Sequence, residues 1–458
     1  MMLPAAGTDR EPPAYLIEIS RFLCGTRFED LPPAVVERAK RLTADLFGIV
    51  TAGNQSEELK ALARLRLATL QGGRSWVIGT SLRAPAREAG FLNGVASTWH
   101  DFDEGSTIAY SHPGSQTIPA AFAAAQELGV TGRELLAALA MGYEACARVG
   151  MASKMRVSVH PHGTTGTIGS AVAIARLKRF DEARMRQAIN VSATMALTTN
   201  RQAMLDEATV RNLYSGHSAA AGATAVELTE AGFTGQRDGI GFTYGTVIAD
   251  GFDPQRCVQG LGRDWLILQG YFKLHPAGRY AHAAIDALED ALKGARIDPG
   301  EIERIEVKAF QMAALLSGKS ITTAFGTKFS IPFALATILV HGRSSVEAFD
   351  IGAVRNPTVQ ALVAKVDVRE EPAYTRAYPG KQLCDVAIHL RDGRTLEGRC
   401  EVMKGEPANP HRPEDVERKF FDLTTPVWGA ERSRKLYGAL LSLESVPDMG
   451  EFGREFAL

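Results

Sequence analysis

His112 in Ser-His-Pro-Gly, His160 in His-Pro-His-Gly-Thr, and His275 and His282 in Leu-His-Pro-Ala-Gly-Arg-Tyr-Ala-His place four imidazoles in segments marked by glycine and proline. An imidazole gives or takes a proton near neutrality because its ordinary pKa is about 6.5. The acidic run Asp101-Phe-Asp103-Glu104 supplies carboxylates able to orient or tune such rings, and Asp101 and Asp103 project to the same side of an extended chain. A lone histidine is usually structural, whereas several in loops on a rigid scaffold suggest one acid/base site. Arg211 and Arg279 lie amid small and apolar residues. Each is either a surface ion-pair partner or a planar fork for a substrate carboxylate.

Other chemistries find little support. His160 and His162 are two apart and would face different ways on a helix, and there is no H-E-x-x-H or other local metal-ligand spacing. Gly163-Thr-Thr-Gly166-Thr-Ile-Gly169 is neither G-x-G-x-x-G nor a Walker loop; its three-residue spacing favours close helix packing. The five cysteines are widely separated without a C-x-x-C pair, and read as buried thiols in a reducing, cytoplasmic setting.

A scaffold must position these groups, and 458 residues, 45% hydrophobic and 22% charged, suffice for a large core in two domains. A formal net charge of -1 gives no electrostatic footprint for nucleic acid or an anionic membrane, so the expected partner is a small molecule. The first residues, with neither a basic nor an apolar block, read as a short disordered leader rather than a secretory signal. Leu135–Val149, interrupted by Glu144 and Arg148, reads as a core helix too short to span a bilayer.

Apolar residues at helical spacing over Val35–Val50, Arg87–Trp99, Gly132–Ala147 and Ser218–Ala231 predict a helical first half. Alternation over Ile302–Phe310, Cys384–Leu390 and Thr395–Val402 predicts strands, with a hairpin at Asp392-Gly393. Helical runs at Pro332–Val340 and Thr358–Val366 lie between them, and Pro413–Leu443 is helical again. The expectation is an α+β chain: a large all-helical domain over 1–268, a smaller α/β lid over 269–405, and C-terminal helices over 406–458 packing back on the first domain.

These segments, in order, resemble the MmgE/PrpD family over roughly residues 20–400. The likeness is carried by Leu92-Asn-Gly-Val-Ala with His100-Asp-Phe-Asp-Glu, His112-Pro-Gly with Pro119-Ala, Gly142-Tyr-Glu, and His160-x-x-Gly-Thr-x-Gly-x-x-Gly. It continues through Gly216-x-x-Ala-Ala-x-Gly with Ala231-Gly-Phe-Thr-Gly, and ends at His275-Pro-x-x-Arg279-x-x-His282-x-x-Ile-Asp286. The resemblance implies a homodimer without metal or organic cofactor, and a site in the cleft between helical domain and lid. It implies catalytic roles for Asp101, His112, His160 and His282, and substrate binding by Arg211, Arg279, Tyr214 and His275. Glu104-Gly105 stands where the family has Asp-Thr, and Arg211 where it has lysine.

The implied chemistry is proton abstraction next to a carboxylate of a small di- or tricarboxylic acid, with cations stabilising the enediolate-like charge. Dehydration of the 2-methylcitrate type is the leading expectation. Epimerisation of the iminodisuccinate type or decarboxylation of the cis-aconitate type is the alternative. A non-catalytic carboxylate-binding homologue is the reading from another class.

Overall fold

The computed structural model describes residues 11–456 apart from 71 and 198. The expected leader falls on residues 1–10, outside the described residues. Helices dominate to about residue 260, and their ends follow local chemistry. Proline at the first turn opens Pro33–Gly53 and Pro113–Leu128, where its missing N–H costs nothing. Thr131 and Glu134 form a capping box before Gly132–Ala152, and Gly129 closes the preceding helix with φ 64°, a left-handed position suited to glycine.

Small residues bring these helices together. A methyl group on Gly94 of Ala86–Ser97 would lie 2.8 Å from the Gly216 Cα of Leu213–Glu230, and one on Gly169 of Thr165–Leu177 would lie 2.8 Å from the Gly142 carbonyl oxygen. The glycine run from Gly163 is thus a packing face from Gly166 onward. Gly132–Ala152 has 21 residues, longer than its apolar run suggested, and is almost wholly buried. Inside it Arg148 pairs with Glu144 at 2.9 Å and donates to the carbonyls of Gln259 and Asp264 at 2.8 Å each.

Two short antiparallel pairs interrupt the helical half: Ser75–Trp76 with Arg83–Ala84, and Ser153–Met155 with Ala249–Phe252. Strands this short leave no periodic signal in sequence. The first half is therefore helical with two small β-pairs rather than all-helical.

The second core gathers Ala277 to Met403, with Met204 from the helical half. Its four-stranded sheet runs in the order Val366–Glu370, Ile302–Ala309, Cys384–Leu390, Thr395–Cys400. The first pair is parallel and the others antiparallel, with Val307 opposite Val368 and Val386. Burial alternates strictly along Cys384–Leu390, as a sheet with one covered face requires. His282–Leu292 covers that face so closely that a methyl group on Gly398 would meet the Ala287 carbonyl. The run Thr358–Val366 splits into a helix, Pro357–Val363, and the start of the edge strand Val366–Glu370.

Pro413–Leu441, broken at Gly429 (φ 75°), packs on Pro33–Gly53 and sends Phe420, Trp428, Leu436 and Leu440 into the first core. Near its start, buried Lys419 lies 2.8 Å from Asp45 and donates at 2.8 Å to the Phe102 carbonyl. A C-terminal element thus fixes the loop that carries Asp101 and Asp103.

Candidate active site

Most of the site segments sit where a helix begins. His112 immediately precedes Pro113–Leu128, Arg211 lies just before Leu213–Glu230, and Arg279 just before His282–Leu292. His160 and His162 lie in the loop that enters Thr165–Leu177. Helix N-termini present unpaired N–H groups and positive dipole ends, so their convergence favours a bound anion. The cleft they meet in is lined from both halves, by Asp101, His112, His160, Arg201 and Arg211 on one side and Arg279, Tyr280 and Tyr378 on the other.

Asp101 is the pivot. It adopts φ 49°, a left-handed conformation rare outside glycine, and is 1% exposed. Lys273 donates to its carboxylate and to its carbonyl at 2.9 Å each, and Arg211 donates to the other carboxylate oxygen. Burial alone would raise the Asp101 pKa, but the charges of Lys273 and then Arg211 outweigh it, holding the group below the usual carboxylate range.

Asp103 organises the imidazoles. Its Oδ2 lies 3.1 Å from His112 Nδ1 and 2.9 Å from His162 Nε2. His112 Nδ1 also lies 2.6 Å from the Glu104 carbonyl. Both neighbours are acceptors, so the His112 proton sits on Nδ1 and Nε2 keeps a free lone pair. The three rings stack, His112 on His162 at 4.2 Å and His162 on His160 at 5.0 Å. His162, read from sequence as a neighbour, is therefore the middle of the stack. The loop gives both rings the same side, where a helix would have separated them.

The His162 backbone N–H donates to His160 Nδ1 at 3.2 Å, and the Arg211 Nε–H is directed at the ring's other nitrogen, Nε2, at 3.4 Å. Donors thus face both nitrogens, and a neutral ring can accept at only one of them. Burial, then the charge of Arg211, keeps His160 well below the ordinary histidine pKa, and burial with the charge of His112 depresses His162 to about 3.

Of the residues singled out in sequence, Asp101, His112, His160, Arg211 and Arg279 line the cleft, and Tyr214, His275 and His282 do not. Tyr214 packs its ring 5.6 Å from His160. His275 lines a separate cavity beside His100 and Lys328. His282 stands behind Arg279: the i, i+3 spacing puts its Nδ1 3.3 Å from Arg279 Nη1, and its Nε2–H donates to the Ala277 carbonyl at 3.2 Å. Arg279 itself donates to Glu406 at 2.9 Å and to the Lys404 carbonyl at 3.0 Å, so much of its fork is already engaged.

Lys273, Arg201 and Tyr271 were missed in sequence. Tyr271 carries one trace of a departure noted there, for a side chain on Gly105 would begin 2.4 Å from the Tyr271 hydroxyl. The phenol thus occupies the space of the family's threonine. Asp103, His112 and His162 also cluster closely enough to suggest a cation site. In the structure both ring nitrogens are instead hydrogen-bonded to the shared carboxylate, at 2.9 and 3.1 Å.

Models of the MmgE/PrpD N-terminal domain and C-terminal domain match residues 17–250 and 275–444. The chain belongs to the MmgE/PrpD family. It is 24% identical to human cis-aconitate decarboxylase over 93% of this chain and 90% of the relative. It is 25% identical to a cis-aconitate decarboxylase-like protein of Aspergillus oryzae over 97% and 98%, and 25% identical to the mouse cis-aconitate decarboxylase over 93% and 89%.

The buried rings give this MmgE/PrpD protein a defined acid sensitivity. Burial lowers the pKa of His160, His162, His275 and His282. Their stabilising contribution is complete above the unfolded value of about 6.5 and is lost as pH falls from there toward the folded values. Glu104, raised to about 8 by burial and then by the Asp103 charge, works in the opposite direction together with Asp45, Glu144 and Asp286, which burial also raises, while His100 and His411, lowered by burial, add to the four rings. We expect the melting temperature to drop as pH falls from about 7.5 to about 5. A melting curve by circular dichroism that stays fixed across that range would contradict this.

Proposed function

We propose that this chain is a cofactor-independent lyase acting on a small tricarboxylic acid, with proton transfer at a carbon next to a carboxylate. One observation carries the reading. Asp103 and the Glu104 carbonyl fix the His112 proton on Nδ1, presenting a proton-free Nε2 to a cleft that also holds Arg211 and Lys273. A proton next to a carboxylate is poorly acidic, so abstraction needs a positioned base and cations for the charge that develops.

In this mechanism the substrate carboxylate next to the reacting carbon lies against the N–H groups of Arg211, beside His160. His112 Nε2 takes the α-proton. The enediolate-like charge then builds on the carboxylate, where these N–H groups and the Lys273 ammonium stabilise it. Lys273, hydrogen-bonded to Asp101, stands as the acid for the leaving hydroxyl. Passage of the α-proton from His112 through solvent to the Lys273 amine resets both groups.

Elimination of water from a β-hydroxy tricarboxylate uses all of these parts. The likeness to the human and mouse cis-aconitate decarboxylases and to the Aspergillus oryzae cis-aconitate decarboxylase-like protein favours a second reading, loss of carbon dioxide from an unsaturated tricarboxylate. There the same acid protonates carbon instead of oxygen.

Incubation with 2-methylcitrate, citrate, cis-aconitate and iminodisuccinate in deuterium oxide, followed by NMR, separates the outcomes. Loss of water from a hydroxy acid is the expected result, and carbon dioxide release from cis-aconitate would establish the second reading. Deuterium uptake without loss of either would replace the lyase with an epimerase. No reaction and no exchange on any of the four would overturn the enzyme reading.

A further inference from the structure

Three guanidinium groups line the cleft, and two of them are neutralised by the protein itself, Arg211 by Asp101 and Arg279 by Glu406. Arg201 is different. Among the described residues no carboxylate stands within ion-pair distance of it, and its Nε is buried without a hydrogen-bond partner. A half-buried cation without a counter-ion is partly deprived of water, so the arrangement is suited to receive an anion.

Its surroundings are phenolic. Arg201 donates to the Tyr110 hydroxyl and lies 5.2 and 6.0 Å from the ring centroids of Tyr110 and Tyr280. Tyr378 completes the wall, its ring 6.4 Å from Tyr280. Tyr110 is held at φ 48°, a left-handed conformation that a bulky residue adopts only when its surroundings enforce it. The Arg201 backbone is tied to the His160 segment through Ser158 at 2.9 Å, while neighbouring Thr199 donates to the His160 carbonyl at 2.6 Å. The guanidinium is thereby fixed relative to the acid/base groups rather than left free on a loop.

We propose that Arg201, with the hydroxyls of Tyr110, Tyr280 and Tyr378, is the subsite for the substrate carboxylate remote from the reacting carbon. The inference rests on the tricarboxylate reading above and sharpens it. A fork flanked by neutral hydroxyl donors suits a planar carboxylate. Tyr110 and Arg201 belong to the helical half and Tyr280 and Tyr378 to the second core. One bound carboxylate therefore touches both halves.

Binding tests this without turnover. Calorimetry with propane-1,2,3-tricarboxylate, and with methylsuccinate, which lacks one terminal carboxylate, should show wild type preferring the tricarboxylate. Arg201→Gln should weaken the tricarboxylate by about 10- to 100-fold, a typical effect for a charged hydrogen bond, and leave methylsuccinate within about threefold. Tyr378→Phe, a milder change that keeps the ring, should lose about three- to tenfold on the tricarboxylate alone, and decides the matter if Arg201→Gln does not fold. Unchanged affinities, equal losses on both ligands, or no tricarboxylate binding by wild type would each overturn the subsite. The NMR experiment reads the lyase assignment independently, so turnover that survives in Arg201→Gln with an unchanged KM would remove the subsite and leave the reaction standing.

Discussion

His112→Asn should lower kcat by about 10³-fold while KM stays within a few-fold, because asparagine keeps a donor where Nδ1–H stood and removes the base at Nε2. Geometry makes this substitution informative. His112 Nδ1 reaches the Glu104 carbonyl at 2.6 Å and Asp103 at 3.1 Å, and the asparagine amide can hold the same partners, so folding is spared. Asp103→Asn attacks the same function from behind. It weakens the preference for the Nδ1–H tautomer and also disturbs His162, 2.9 Å away. Progress curves by NMR on whichever acid turns over provide the measurement. A loss under about tenfold for His112→Asn would move the base to another residue.

Lys273→Met should cost both activity and stability. The ammonium is 1% exposed, bound to the Asp101 carboxylate at 2.9 Å and lying 3.7 Å from Asp103. Without it Asp101 keeps only Arg211 and Asp103 loses its nearest ammonium, and a buried ion left without its partner typically costs about 3 to 5 kcal/mol. Activity should fall by about 10²- to 10³-fold, the usual penalty for removing one preorganised donor from a site of developing charge. Lys273→Arg instead keeps a cation beside Asp101 and Asp103, but one that gives up no proton at ordinary pH. Stability, read from urea denaturation midpoints, should largely return while activity does not. If activity returned with stability, Lys273 would be a structural counter-ion only.

These residues were unequally visible in the sequence for physical reasons. Asp101, His112 and His160 lie in polar or glycine- and proline-flanked turns, where a titratable side chain stands out against its neighbours. Lys273 lies in Tyr271-Phe-Lys-Leu, where a lysine reads as a snorkelling chain at the edge of an apolar run. Its meaning comes from Asp101, 172 positions away. Arg201 follows Thr199-Asn200 in a stretch with the composition of an ordinary polar loop. The lack of a carboxylate beside it is a property of three dimensions. His282 stood out through the resemblance, as the last histidine of His275-Pro-x-x-Arg279-x-x-His282, yet its spacing directs it onto Arg279 and behind the cleft.

The fold was legible where periodicity runs long. Pro33–Gly53 and Cys384–Leu390 contain the runs that announced them. Val366–Glu370 has a mostly exposed face and only two valines to alternate, so it merged with the helix before it. Leu213–Glu230 begins five residues ahead of its apolar run at Ser218, because its buried first turn, Tyr214-Ser-Gly216, packs through small and polar residues, with Gly216 against Gly94.

The return of Pro413–Leu441 to the first core, with Lys419 gripping Asp45 and the Phe102 carbonyl, has a mechanical corollary. The sheet-bearing half is spliced into the helical half and moored at both ends, more like a drawbridge on two chains than a flag on one pole. Any opening must flex the connection near Lys273 and the one near Lys419 together. Both moorings end on the Asp101–Asp103 loop, so a swing wide enough to release product would tug directly on the carboxylates that orient the rings.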